Sequence, residues 1–152
     1  MDIVEQKAYI FGGLFVLANK VQILGDRINP DLSIKQWLFL AVIPKCQSNF
    51  PTISEVAKVM GSSHQNVKKM AAILEKLGFI RFIKDEKDAR VIRIALTEKC
   101  EEYFKANEEG ELQFIEKLFA GFSEEQINGL YFGLQKMASN IIKMEKNNEK
   151  EE

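Results

Sequence analysis

The chain has 152 residues, of which 46% are hydrophobic and 28% are charged, and its formal net charge is -1. These proportions are close to those of an average globular protein and exclude wholesale disorder. The two cysteines, Cys46 and Cys100, are too few for a secreted disulfide scaffold. The first residues lack a signal-peptide pattern, and no charge-free apolar stretch approaches about 18 residues. We therefore expect a cytoplasmic protein with no membrane span and no membrane partner.

The charge is unevenly distributed along the chain. Residues 61–96 contain eight Lys or Arg and four Asp or Glu, whereas residues 97–152 contain seven and thirteen. A local excess of cations within a near-neutral protein is typical of a nucleic-acid-binding surface. A merely solvated basic surface has the same composition, so charge alone does not decide between the two.

The N-terminal segment predicts a long apolar helix from Ile3 to about Ile28. Its apolar residues recur at spacings of three and four, and they are dense enough that we expect burial on more than one side. Asn29-Pro30-Asp31 is predicted to end this helix.

Capping patterns predict where the next helices begin. Ser33 with Gln36, and Thr52 with Glu55, have the spacing of capping boxes, in which each side chain bonds a free amide at the helix start. The helix after Ser33 is expected to end near Pro44. A further helix is expected to start after Ser63 and to end at a C-cap glycine, Gly78.

The hydrophobic period then changes to that of strands. Residues 79–84 and 91–96 are rich in β-branched and aromatic side chains and flank the polar segment 85–90, which predicts a two-stranded hairpin. Helix returns from Thr97 and breaks at Gly121. Ser123 with Gln126 forms another capping box before a last helix, which is expected to fade into a solvated tail over residues 145–152.

Residues 53–96 therefore have the order helix, glycine turn, helix and hairpin, which predicts a winged helix-turn-helix. Polar side chains occupy the first turn and a half of the second helix, where a recognition helix places base-reading groups: His64, Gln65, Asn66, Lys68 and Lys69. Gln and Asn bond an adenine edge, and Lys suits guanine or phosphate. Four further cations lie on the hairpin: Lys84, Lys87, Arg90 and Arg93. The alternative interpretation of both sets is a solvated surface.

The sequence contains no constellation of catalytic or metal-binding residues. His64 is the only histidine, and no cysteine stands at ligand spacing from it, so we predict neither a metal site nor another cofactor. A glycine-rich phosphate loop and a nucleophile elbow are also missing, which argues against an enzyme.

Together these motifs resemble the MarR family of winged-helix transcription factors over nearly the whole chain. The most specific stretches are residues 52–57, 67–80 and 94–99 and the wing segment Asp85-Glu86-Lys87-Asp88-Ala89-Arg90, which is similar to the family pattern Asp-x-Arg-Asp-x-Arg. The resemblance implies a mainly α (α+β) subunit over residues 1–152. In it, a winged helix-turn-helix DNA-binding lobe (33–97) is flanked by N- and C-terminal dimerisation helices (1–30 and 98–146).

The resemblance also implies roles for the wing residues. Arg90 is expected to enter the minor groove and Asp88 to orient the wing. Two positions depart from the family pattern, since Lys87 replaces an arginine, which removes its planar fork, and Cys100 replaces a glycine. The complete set of predicted DNA-binding residues is Thr52, Ser54, Ser62, Ser63, His64, Gln65, Asn66, Lys68, Lys69, Lys87 and Arg90.

The two ends of the chain carry more apolar surface than a small winged-helix core can bury, which predicts a homodimer on a pseudopalindromic operator. The predicted interface residues are Ile3, Val4, Phe11, Leu130, Leu134 and Ile141. The resemblance further implies a small phenolic or anionic effector. Its candidate lining is Phe11, Phe15, Trp37 and Phe39, with ordinary core packing as the alternative. Cys46 lies beside Lys45, whose charge is expected to lower the thiol pKa, although an inert thiol is the alternative.

The function predicted from the sequence is that of a homodimeric, sequence-specific DNA-binding transcriptional regulator. We expect a repressor that a small ligand or another signal releases. The alternative is a winged-helix module that binds protein rather than DNA, and such a module would present an apolar or acidic recognition helix.

Overall fold

The computed structural model describes residues 1–148, which form six α-helices and one two-stranded antiparallel sheet. The elements are α1 (Ile3–Ile28), α2 (Ile34–Val42), α3 (Ile53–Met60), α4 (His64–Lys76), β1 (Ile80–Lys84), β2 (Ile92–Leu96), α5 (Glu98–Leu118) and α6 (Glu124–Asn148). This order confirms the predicted mainly α winged helix-turn-helix. The chain divides into two compact units, Met1–Ala106 and the segment from Asn107 onwards.

The helix starts follow the predicted caps. Ser33 and Gln36 form a capping box at α2, and Thr52 and Glu55 form one at α3. At α6 the Gln126 side chain accepts a hydrogen bond from the Ser123 amide at 2.8 Å, and Ser123 Oγ accepts one from the Gln126 amide at 3.2 Å. These three predictions are confirmed because a capping box depends only on residues three apart.

The ends of α3 and α4 also lie at the glycines predicted from the sequence. Gly61 follows α3 with φ 61° and Gly78 follows α4 with φ 80°, a left-handed conformation that glycine adopts without a Cβ clash. A 3₁₀ turn, Ile43–Lys45, follows α2. The last helix runs through Asn148, so residues 145–148 are helical and the rest of the predicted tail lies outside the described residues.

The hairpin pairs Ile80 with Leu96 and Lys84 with Ile92 in an antiparallel register. Both strands start one residue later than predicted. Beyond the hairpin, the Ile94 amide donates to the Pro51 carbonyl at 2.8 Å, and Thr52 forms a β-bridge with Arg93. The second strand is therefore attached to the segment that leads into α3.

The core lies in the first unit, between the helix-turn-helix, the hairpin and the start of α5. Its fully buried side chains include Phe39 and Leu40 of α2, Val56 of α3 and Ile94 of β2. From α4 the buried residues are Val67, Ala71 and Leu74. Their spacing of three and four is the helical stripe predicted for this segment.

The N-terminal helix does not bury its apolar surface within one chain. Gly25 is the only buried residue of α1, so the expected burial on more than one side is wrong for the single subunit. At Gly25 the helix touches α2 closely, since an added Cβ would lie 2.8 Å from Ile34 Cδ1.

By length and hydropathy, α1 also qualifies as a membrane span, a test that a core helix of a soluble protein passes as well. The sequence-based prediction of no membrane span relied on the lack of a long charge-free stretch, whereas α1 meets the length and hydropathy criteria. That prediction therefore does not follow from the composition of α1.

Candidate nucleic-acid interface

The start of α4 is the most polar exposed element of the helix-turn-helix. Ser63 caps it, with Oγ accepting a hydrogen bond from the Asn66 amide at 3.2 Å. Val67, Ala71 and Leu74 anchor one side of the helix in the core. The predicted reading residues are exposed: His64, Gln65, Asn66, Lys68 and Lys69. At 100° per residue Gln65 and Lys69 lie opposite the buried stripe and Asn66 and Lys68 flank it, whereas His64 lies on the side of the stripe, in the turn before Val67.

This geometry suits an anionic ligand in three respects. The first amides of a helix have no partner within the helix, and the N-terminal end of its dipole is positive. Two exposed lysines, Lys68 and Lys69, add full charges one turn further along. The exposed Gln65 and Asn66 supply paired donors and acceptors of the kind that read base edges.

Two of the predicted DNA-contact residues, Thr52 and Ser63, use their hydroxyl groups to cap helices. Thr52 Oγ1 donates to Glu55 Oε2 at 2.9 Å and accepts from the Glu55 amide at 3.3 Å. The hydroxyl of Ser63 likewise holds the amide of α4. Ser54 is exposed at the start of α3, and Ser62 is half-buried in the turn.

At the wing, an ion pair holds the residue expected to reach the minor groove. Arg90 Nε lies 3.0 Å from Asp88 Oδ1 and Nη2 lies 3.1 Å from Oδ2, so the guanidinium and the carboxylate meet as two parallel bonds. The Asp88 carboxylate raises the pKa of Arg90, and the Arg90 guanidinium lowers that of Asp88. The side chain of Arg90 is 91% exposed, so the pair leaves it on the surface.

Arg93 differs from the other cations of the hairpin because its side chain is mostly buried against other parts of the chain. Sequence reasoning did not find this difference. Its side chain is 27% exposed, and Nη1 donates to the Phe50 carbonyl at 2.9 Å and to Ser48 Oγ at 3.3 Å. It also forms ion pairs with Asp85 and, at 3.8 Å, with Glu55. Grouping it with the other hairpin cations as part of an exposed basic surface was therefore wrong.

Asp85 is the acceptor at the base of the wing. Besides Arg93, the amides of Lys87 and Asp88 each donate to its Oδ1 at 2.9 Å. The Arg93 guanidinium, with help from these two amides, lowers the pKa of Asp85 to about 2. Because hydrogen bonds to the ionised form favour it, Asp85 is a carboxylate throughout the neutral range. The Lys87 side chain is exposed.

The far end of α4 is held by the residues that open α5. Lys99 Nζ donates to the Leu77 carbonyl at 2.7 Å and lies 4.9 Å from the centre of the Phe79 ring. Thr97 Oγ1 donates to the Gly78 carbonyl at 2.6 Å. Tyr103 stacks edge-on against Phe79, with ring centroids 5.3 Å apart, and accepts a hydrogen bond from the Asn29 amide group just after α1.

Of the four candidate effector residues, one is buried in the core and the other three take part in two different ring contacts. Phe39 has no exposed surface and belongs to the core, so its assignment to a ligand site is wrong and the packing alternative holds. Phe11 and Phe15 contact each other on exposed α1, with centroids 5.3 Å apart. Trp37 instead packs edge-on against Phe104 at 6.5 Å.

A surface depression of about 390 Å³ lies elsewhere, beside Cys46 and Phe50, and none of these candidates lines it.

The cysteines are not activated. Burial, together with the negative charge of Glu55, raises the pKa of Cys46, so the expected lowering by Lys45 is wrong. Its Sγ donates to the Val42 carbonyl at 3.5 Å. Burial raises the pKa of Cys100 to about 11. Within residues 1–148, no group of three or more His, Cys, Asp or Glu side chains is arranged to hold a metal ion.

The predicted interface residues are solvent-exposed in the single chain. The exposed fractions are 63% for Ile3, 68% for Val4, 67% for Phe11, 43% for Leu130, 45% for Leu134 and 51% for Ile141. Exposed apolar patches of this extent mark interaction surfaces in soluble proteins.

Comparison with known proteins gives a consistent result. No family model matches the chain. The transcriptional repressor MprA of Escherichia coli K12 is 29% identical over 114 residues, which cover 74% of this chain and 65% of MprA. The chain thus spans less than two thirds of this curated relative.

Solved structures show the same fold. A MarR/EmrR family transcriptional regulator from Acinetobacter sp. ADP1 matches with a TM-score of 0.79 at 17% identity, covering 94% of this chain and 99% of its own. The Staphylococcus aureus MepR–DNA complex matches with a TM-score of 0.75 at 21% identity, covering 89% and 97%. The predicted resemblance to the MarR family is confirmed, and these relatives are transcriptional regulators, not enzymes.

Proposed function

We propose that this chain, which has the winged-helix fold of the MarR-family transcriptional regulators, is a homodimeric, sequence-specific DNA-binding repressor of the cytoplasm. The observation that carries the proposal is the start of α4. There a core-anchored helix presents its free amides, two lysines and the amide side chains of Gln65 and Asn66 to solvent. Such a helix end fits the major groove, with phosphates near its amides and base edges near its side chains.

The proposed contacts divide into two classes. His64, Gln65 and Asn66 lie at the tip of α4 and are assigned to base edges, whereas Lys68, Lys69 and Lys87 are assigned to phosphates. Arg90 is assigned to the minor groove, whose narrow A·T-rich stretches attract arginine. Among the serines and threonines, Ser54 and Ser62 are assigned to the phosphate backbone. Thr52 and Ser63 act through the amides that their caps orient.

The homodimer is supported by the unburied apolar surface of α1 and α6. Exposed apolar side chains recur along both helices, and a two-fold copy would cover the same patch on each subunit. In this arrangement the residues 1–30 and 98–146 form the dimerisation region and the residues 33–97 form the DNA-binding lobe. Two recognition helices about 34 Å apart then match successive major grooves of a pseudopalindrome.

Repression would follow from occupation of a promoter, and release from a change in the spacing of the two recognition helices. An effector shifts that spacing only if it binds the two arrangements with different affinity. For a small phenolic or anionic compound we keep Phe11, Phe15 and Trp37 as candidate contacts, since their rings take part in the Phe11–Phe15 and Trp37–Phe104 pairs. Screening such compounds for dissociation of the protein–DNA complex tests this part separately.

The main experiment is selection of bound fragments from genomic DNA, followed by competition against random duplex at a fixed salt concentration. We expect a pseudopalindromic operator bound at least about a thousandfold more tightly than random DNA. Gln65→Ala and Asn66→Ala are expected to change which operator is selected, whereas Lys68→Ala weakens all sequences alike. Equal losses for all three variants on every sequence would contradict base reading.

A winged-helix module that binds protein predicts no enrichment of any fragment and no retention on random duplex at low salt. The exposed side chains at the start of α4 are polar and cationic rather than apolar or acidic, which favours DNA over this alternative.

A further inference from the structure

We propose that Arg93 is a positioning residue that fastens the wing to the entrance of α3 and thereby determines where Arg90 is presented. The inference rests on the proposed DNA-binding function. It assigns to Arg93 an indirect role, in which the residue contacts other parts of the subunit instead of the duplex.

The first step of the argument is the position of the Arg93 side chain. Its guanidinium reaches three elements of the chain: Asp85 at the base of the wing, Glu55 in α3, and the loop before α3 through the Phe50 carbonyl and Ser48 Oγ. Arg90 is 91% exposed, whereas Arg93 is 27% exposed. A guanidinium with this many internal acceptors has few donors left for a phosphate.

The second step is the backbone beneath that side chain. Arg93 forms a β-bridge with Thr52, and the next amide, of Ile94, donates to the Pro51 carbonyl at 2.8 Å. Strand β2 is thus attached to the segment leading into the helix-turn-helix at the same point where the guanidinium binds. The wing is therefore held at its base.

The third step is the route from Arg93 to Arg90. Asp85, which pairs with Arg93, accepts hydrogen bonds at 2.9 Å from the amides of Lys87 and Asp88. The Asp88 carboxylate in turn holds the Arg90 guanidinium at 3.0 and 3.1 Å. Two ion pairs joined by a backbone amide therefore connect the entrance of α3 to the exposed arginine.

The fourth step is that an arginine is required. Nε is directed to Asp85 while Nη1 is directed to the Phe50 carbonyl and Ser48, so two sides of one planar group serve two parts of the chain. A lysine offers one ammonium on a flexible stem and does not span both sets of acceptors. Arg93→Lys consequently keeps the charge and loses the bridge.

The test is a double-mutant cycle on operator affinity with Arg93→Ala and Arg90→Ala. If Arg93 acts by placing Arg90, the loss caused by Arg90→Ala shrinks by about tenfold once Arg93 is absent. Losses that multiply to within about twofold would overturn the proposal, because they would show independent contacts. Arg93→Lys is expected to behave as Arg93→Ala. Full affinity in Arg93→Lys would instead indicate a phosphate contact and would equally overturn it.

Arg81→Ala is the matched control, because it removes one exposed arginine from the other strand of the same hairpin. We expect its effect to combine with Arg90→Ala without coupling. Thermal unfolding of every variant identifies any loss of fold. Should Arg93→Ala not fold, Arg93→Lys carries the cycle.

A measurement without DNA separates this proposal from the proposed function. Hydrogen exchange of the Lys87 and Asp88 amides in the free protein is expected to accelerate about tenfold in Arg93→Ala and Arg93→Lys, since Asp85 loses the partner that holds it. Arg81→Ala should leave these amides unchanged. If the wild-type protein binds no duplex, the proposed function fails, but the exchange rates still show whether Arg93 holds the wing. Unchanged exchange in both Arg93 variants would overturn the positioning role of Arg93.

Discussion

Replacing Lys68 by alanine should reduce the salt dependence of operator binding. The size of the reduction follows from the number of lysines assigned to phosphates. Three exposed lysines of α4 and the wing are assigned to phosphates, Lys68, Lys69 and Lys87, which makes six in a dimer. Each phosphate contact contributes about 0.9 to the slope of log affinity against log salt, so six give a slope near −5.4. Between 50 and 200 mM salt such a dimer loses about 10³ in affinity.

Lys68→Ala removes one cation from each subunit, so the slope should fall in magnitude by about 1.8. Fluorescence anisotropy with a labelled operator, at several KCl concentrations between those limits, measures it. Lys105→Ala is the control, because it removes an equally exposed lysine from α5, and its slope should equal that of the wild type. A slope unchanged by Lys68→Ala, or reduced equally by both variants, would refute the assignment of the α4 lysines to phosphates.

Three further outcomes are expected. Gly25→Ala should lower the free energy of unfolding in urea by about 1 kcal/mol, because crowding against α2 exceeds the gain in helix propensity. Gly12→Ala, whose added Cβ has no neighbour within 4 Å, should raise the free energy of unfolding by about 1 kcal/mol. Changes of the same sign in both variants would contradict this reasoning. Iodoacetamide at pH 8 should modify Cys46 well before Cys100, because burial raises the pKa of Cys100 to about 11. Equal modification rates of the two thiols, measured by mass spectrometry, would count against this prediction. Because the Arg93 guanidinium lowers the pKa of Asp85 from 3.8 to about 2, NMR protection of the wing amides should hold above pH 4 and be lost as pH falls toward 2; loss centred near pH 4 would disprove it.

The elements that sequence reasoning located correctly depend on local signals. Thr52 with Glu55 and Ser123 with Gln126 mark helix starts because the bonding groups are three residues apart. Gly78 marks the end of α4 because only glycine takes its φ of 80° without strain. The single apolar stripe of α4 likewise separated its core residues from its exposed ones, and the hairpin followed from a change of period.

The features that were missed depend on contacts between distant residues. Arg93 was grouped with the exposed cations because its acceptors Ser48 and Phe50 lie 45 and 43 residues away, and no local pattern indicates them. Phe39 was assigned to a cleft because α2 is apolar on more than one side, so periodicity does not identify the face that meets the core. The exposure of α1 was missed for a related reason, since a dense apolar pattern shows that a partner is needed without identifying it.

The opening turns of α5 contact both the exit of α4 and the end of α1. Within seven residues, Thr97 and Lys99 hold the last carbonyls of the α4 segment, and Tyr103 receives the Asn29 amide. A rotation of α5 about its own axis would therefore either move the C-terminal end of α4 with it or break the 2.7 Å bond from Lys99 to Leu77. Since Tyr103 also lies against Phe79, with ring centroids 5.3 Å apart, the same rotation would change that ring–ring contact as well.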